Sequence, residues 1–247
     1  MKFNSAVKSC FVLLVALAIG ACASSPPVNQ RPVPRSVAMI GVTIADGVEA
    51  GKSQTAMARE FQELIHDRQG YRTLRASAVQ RGVNSVSSGA YNDMLNNYAQ
   101  TGELHPNDIR ALIAARLPVQ MALIARIEEN KVLPGAQHSE QLRNNAGDIL
   151  TDRERIVLST VRKMRMKASM VNMQTGAVFW SRTYESTPAT KSSYVHYSGS
   201  SFSGSLAAAL ANTVSNGIRA PSGPLPPSNQ LTLRSLMREV VRNLPAR

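Results

Sequence analysis

Residues Ile156 to Thr187 read IVLSTVRKMRMKASMVNMQTGAVFWSRTYEST. From Lys163 the run alternates: Met164, Met166, Ala168 and Met170 share one face, and Lys163, Arg165, Lys167 and Ser169 share the other. A period of two with one apolar face predicts a half-buried β-strand. Gln174-Thr175-Gly176 interrupts it, and Val178, Trp180 and Tyr184 resume the alternation. This predicts a hairpin with a three-residue loop and Gly176 in the left-handed conformation, which glycine adopts without steric cost. That register sets Met170 opposite Trp180, Met166 opposite Tyr184 and Arg165 opposite Glu185. A two-residue turn at Thr175-Gly176 would put Lys167 against Tyr184 and Met166 against Glu185, which is worse on both faces.

The hairpin is flanked by two polar segments. Glu128 to Glu154 is charged and broken at Pro134-Gly135 and at Asn144 to Gly147; Ser186 to Ser203 is rich in Ser and Tyr. The first is long for a structureless loop, so it is expected to be functional or mobile. Further out, Ser36 to Ile44 reads as a buried first strand, Ser53 to Arg68 as an amphipathic helix (Met57, Phe61, Leu64, Ile65), and Gly70 as its C-cap. Tyr71 to Val79 is expected as a second strand. A short helix follows around Tyr91, Met94, Leu95 and Tyr98, then a helix opened by His105-Pro106-Asn107-Asp108 and stopped by Pro118. Val119 to Ile127 reads as a third strand. After the hairpin come a helix over Ser205 to Ile218, a Pro-rich linker over 220–230, and a last helix striped by Leu233, Leu236, Met237, Val240, Val241 and Leu244.

Met1 to Ala21 has a basic start, the apolar run Phe11 to Ile19 and small residues before Cys22. This is the pattern of a secretory signal peptide. Ile19-Gly20-Ala21-Cys22 resembles a bacterial lipobox, so Cys22 is the expected site of lipidation, with palmitate among its acyl chains. No Asp follows Cys22, which points to the outer membrane, periplasmic face. Removing the signal peptide takes Lys2 and Lys8 from a net charge of +12, leaving +10, and removes Cys10. Cys22 is then the one cysteine, so a disulfide, a cysteine zinc site and a thiol nucleophile are excluded from the mature chain. Ala23 to Arg35, with Pro26, Pro27, Pro32 and Pro34, reads as a semi-rigid tether. At ~3.1 Å per residue it reaches on the order of 40 Å.

Val171-Asn172-Met173-Gln174-Thr175-Gly176-Ala177-Val178-Phe179, followed by Trp180-Ser181, resembles the strand-turn-strand of the curli secretion lipoprotein superfamily. That superfamily includes the penicillin-binding-protein activator lipoproteins. The lipobox, the Pro-rich tether, a βαβ opening and a C-terminal helix recur in the same order. The resemblance implies an α/β fold: one domain (36–219) with a mixed sheet, a long central hairpin and packed helices, plus a C-terminal helix (231–247) on the domain. In the channel members two amphipathic hairpins enter the membrane, at positions that correspond here to Glu128–Glu154 and Ser186–Ser203. A membrane strand needs about nine to eleven alternating residues. Lys131, Pro134, Gln137, Glu140, Arg143 and Asp148 in the first segment do not alternate, and Pro188 and Lys191 interrupt the second.

Catalytic patterns are near misses. Gly47-Val48-Glu49-Ala50-Gly51-Lys52-Ser53 lacks the spacing of a phosphate loop and carries two acids with Asp46. Ser198 to Ser205 lacks the last glycine of a nucleophile elbow. His66, His105, His138 and His196 have no paired metal spacing, and His105 reads as a helix cap. Glu128 and Glu129 are neighbours, which on a regular strand point to opposite faces. No residue set supports an enzyme, a cofactor or a metal. The remaining signal is basic: Arg162, Lys163, Arg165 and Lys167, preceded by Arg153 and Arg155, form the expected surface for an acidic partner. The expected function is a non-catalytic, outer-membrane-anchored periplasmic lipoprotein that binds a periplasmic protein or peptidoglycan. Nucleic acid is excluded by the address, and a homo-oligomer is open. The alternative is a subunit of an oligomeric curli-type secretion channel.

Overall fold

The computed structural model describes residues 35–68, 70–197 and 224–245. Contacts divide the chain into Met1–Val33 and Pro34–Arg247, and all described residues fall in the second unit. The signal peptide, Cys22, nearly all of the tether and the expected helix over Ser205 to Ile218 lie outside the described residues.

The fold is mixed α/β. The strands are β1 (Arg35–Ile44), β2 (Tyr71–Leu74), β3 (Met121–Pro134), β4 (His138–Arg143), β5 (Ile149–Asn172), β6 (Val178–Ser186) and β7 (Ala189–Tyr197). The described helices are α1 (Gln54–His66), α2 (Ala76–Val86), α3 (Ala90–Thr101), α4 (Pro106–Ala114) and α5 (Asn229–Arg242). β1 pairs in parallel with β2 and β3, and β5 runs antiparallel to β3, β4, β6 and β7. The apolar run of β1 is buried on both faces, as parallel strands under helices are.

Two cores sandwich the sheet. On one face Val37, Met39, Leu123, Ala125, Ile127, Met164, Met166, Ala168 and Met170 pack under α1 and α5. The six apolar residues predicted as the α5 stripe are all buried there. On the other face Ala38, Ile40, Ala122 and Ile124 pack under α2, α3 and α4.

The register predicted for the hairpin is the one observed: Met170 faces Trp180, Met166 faces Tyr184 and Arg165 faces Glu185. Its loop is not. Asn172 N donates to Ala177 O at 2.9 Å, which closes a four-residue loop, Met173 to Gly176. The Asn172 carboxamide oxygen accepts from Gln174 N and Thr175 N and winds the chain into this tighter start. A bulge at Phe179 then restores the register, because Val171 faces Val178 while Met170 faces Trp180. Gly176 has φ +72° as expected.

Two other expectations are corrected. The second strand stops at Leu74, and Ala76–Val86 is a helix whose Val79 and Val83, four apart, are buried. The polar flanks are mainly strand. β3 runs on to Pro134, β4 continues it along the same edge of β5, and the turn Asn144 to Asp148 leads back into β5, which is 24 residues long. On the opposite edge β7 continues β6 after Thr187-Pro188. β4, the first half of β5 and β7 make a three-stranded ribbon. The flanking strands break at staggered levels, β3 giving way to β4 where Gly135 N bonds to Ser159 O, and β6 to β7 where Arg162 N bonds to Pro188 O.

Candidate partner-binding face

β5 turns Lys163, Arg165, Lys167 and Ser169 to the face opposite its methionines, as the alternation requires. Ser169 marks where helix cover ends. Its hydroxyl accepts from Tyr98 Oη at 3.2 Å and lies 2.9 Å from Ser181 Oγ. Burial pushes the Tyr98 phenol up to about 12, against the opposing pull of the Ser169 bond. α3 stops at Thr101, and the Arg126 guanidinium lies against Gly102 and donates to Gln100 O at 3.1 Å.

Beyond Arg126 the face is half-exposed and charged on three strands. Between Ile127 and Glu129 the β3 register slips, so Ile127 faces Met166 and Glu129 faces Arg165. This bulge brings both neighbouring carboxylates to one cation: Glu128 is 3.1 Å from Arg165 Nε and Glu129 is 3.9 Å from its Nη1. The expectation that adjacent glutamates must diverge fails here, because a bulged residue departs from the alternation. Lys131 and Lys163 sit 3.4 and 3.6 Å from Glu129, and Arg126 is 3.9 Å from Glu128. Lys163 also pairs with Glu185 of β6 at 3.5 Å. Desolvation pushes the Glu129 carboxyl up, but the Lys131 hydrogen bond and the Lys163, Lys131 and Arg165 charges outweigh it and hold the group below its ordinary 4.5. A general acid needs the opposite shift. The arrangement is an ion lattice with four cations (Arg126, Lys131, Lys163, Arg165) and three carboxylates (Glu128, Glu129, Glu185).

The structure does not gather the sequence-predicted basic residues as one set. Lys163 and Arg165 are in the lattice, and Lys167, between Arg126 and Thr183, enters none of its ion pairs. Arg162 lies on the opposite face, where its Nε donates to Pro227 O at 2.7 Å and its Nη1 to Asn130 Oδ1 at 2.8 Å. It ties the approach to α5 to the sheet. Arg155 pairs with Glu140 at 3.7 Å on the ribbon, and Arg153 pairs with Asp152 at 2.8 Å. The carboxylates that convert a basic patch into a lattice were not read from sequence; their signal was Glu185 opposite Arg165.

The other motifs resolve as structure. Ser53 caps α1, and Lys52 pairs with Glu60 at 2.7 Å. His105 caps α4 in a capping box with Asp108. Among the described residues no group of three His, Cys, Asp or Glu is placed to hold a metal ion, and no helix is long and apolar enough to cross a membrane.

No family model matches the chain, and no curated protein matches it. Solved structures similar to it include the LpoB C-terminal domain from Salmonella enterica, at 8% identity over 70% of this chain and 92% of that one, with TM-score 0.36. Lipoprotein GNA1162 from Neisseria meningitidis is similar at 17% identity over 74% and 100%, with TM-score 0.32. A PelC dodecamer from Paraburkholderia phytofirmans is similar at 13% identity over 87% and 91%, also with TM-score 0.32. The chain is similar to these proteins, and the comparisons assign it to no family.

Proposed function

We propose that the chain is a non-catalytic lipoprotein, anchored through Cys22 to the periplasmic face of the outer membrane, whose sheet face binds a periplasmic protein. The half-exposed ion lattice on β3, β5 and β6 carries the reading. Its charges alternate in sign over a few ångströms. Such a surface discriminates between partners by matching both signs, whereas a uniformly anionic polymer would meet Glu128, Glu129 and Glu185 as repulsion. This favours a protein over peptidoglycan, with Lys163, Arg165 and Lys167 as the cationic contacts.

A photo-crosslinking residue at position 167, compared with one at exposed position 59 on the opposite face, tests it in intact cells. The expected result is one discrete protein adduct from 167 that is absent from 59. Equal smears from both positions would overturn the reading.

One observation favours the second reading, a subunit of an oligomeric secretion channel. The segments flanking the central strand are β-strands, as membrane hairpins would be. Against it, Arg153, Arg155 and Lys191 lie on one face of the ribbon, and Asp152, Glu154 and His196 on the other. Neither face offers a lipid-facing band.

A further inference from the structure

We infer that the end of the domain where the chain enters β1 is a membrane-docking face that lies on anionic lipid headgroups. The inference deepens the lipid-anchored reading and rests on it for the membrane at hand. Because β1, β2 and β3 are parallel, all three begin at this end. α1 and α5 finish here: Arg35 Nη1 and Tyr71 Oη both donate to Pro245 O at 2.8 Å, and Arg68 donates to Val241 O. α4 finishes here too, since the residues after it lead into β3 and Gln120 N donates to Ser36 O at 3.2 Å. The β5–β6 loop completes the end, with Asn172 opposite Met121 and Gly176 against Ile109 and Ile113.

Two independent observations meet on this end. Arg72, Arg116 and Arg242 are exposed on it, with Asp67 the acid beside them and Glu63 and Glu239 one helical turn behind. Apolar side chains also stand open there: Ile113 is 36% exposed, Val178 45% and Phe179 47%. Arginines around exposed apolar and aromatic groups are the composition of surfaces that rest at a headgroup boundary. The covalent route selects the bilayer as occupant. Only about a dozen residues separate Cys22 from Arg35, so acylation holds this end at high effective concentration against the membrane.

The chain starting at Ala23, without an acyl group, retains the whole described sheet and both cores, and serves as the test protein. It is sedimented with vesicles of phosphatidylglycerol and phosphatidylethanolamine, and separately with phosphatidylcholine vesicles. The expected result is binding to the anionic vesicles alone, reversed by salt and weakened about fivefold for each of Arg72→Gln and Arg116→Gln. Phe179→Ser is expected to weaken it on the order of tenfold, with the circular dichroism spectrum unchanged. Equal binding to both vesicles, no binding at low salt, or binding insensitive to all three changes would overturn the inference. So would a concentration-dependent dimer abolished by Phe179→Ser, or tighter binding to polyglutamate than to vesicles. Palmitate labelling of Cys22 in cells reports the anchor separately: vesicle binding with an unlabelled cysteine would refute the anchor and keep the face.

Discussion

Tyr98 donates a hydrogen bond to Ser169 in a site closed to water, so burial resists ionisation of its phenol. Its folded value is raised, to about 12, and its unfolded value is near 10. The neutral phenol therefore adds stability that is fully present below pH ~10 and is lost as pH rises toward the folded value. Tyr98→Phe should cost about 1 kcal/mol at neutral pH and should flatten the loss above pH ~10, as read from urea unfolding midpoints. The glutamates behave oppositely. Glu129 is lowered below 4.5, so its contribution is present above that value and fades as pH falls through the folded one. The shared side of Lys163, Arg165 and Lys167 was legible from alternation alone, whereas Arg162, read onto the same surface, lies on the opposite face. The shared side of Glu128 and Glu129 was not, because no residue type announces a bulge.

At the scale of elements, the hairpin loop and α5 hold the strongest tests. A Cβ on Gly176 would stand 2.9 Å from both Ile109 and Ile113, at φ +72°. Gly176→Ala should therefore cost at least about 1–2 kcal/mol, visible as a lowered thermal midpoint. Leu236 is fully buried between α5 and the sheet. Leu236→Ala should cost about 2–5 kcal/mol, measured by denaturant titration. Elements with strong periodicity were readable: β1, α1, α4, the body of the hairpin and α5. The split of Tyr71 to Val86 into β2 and α2 was not, since Arg75 stands at the helix start with no side-chain cap bond and no glycine or proline marks the change. The ribbon was missed for a different reason. β4 and β7 are mainly exposed, so hydrophobic alternation, the signal of a half-buried strand, is absent from them.

Across the whole molecule, stability should be graded along β5. Its methionine half is sealed between helices and strands, while its first half is flanked by short, mainly exposed strands. Amide hydrogen exchange should be slow at Met164 to Met170 and markedly faster at Asp152 to Val157 and across β4. Equal protection in both halves would contradict this gradient. One consequence is mechanical. The two edges of β5 are interrupted at different points, at Gly135 beside Ser159 and at Pro188 beside Arg162, so an unbroken neighbour accompanies β5 past each gap, β7 past the first and β3 past the second. The sheet is thus a beam with two staggered notches. A force applied to the outer turn, Asn144 to Asp148, meets two strands rather than three at each gap, and bends the chain between Ser159 and Arg162 before the buried methionines bear any of it.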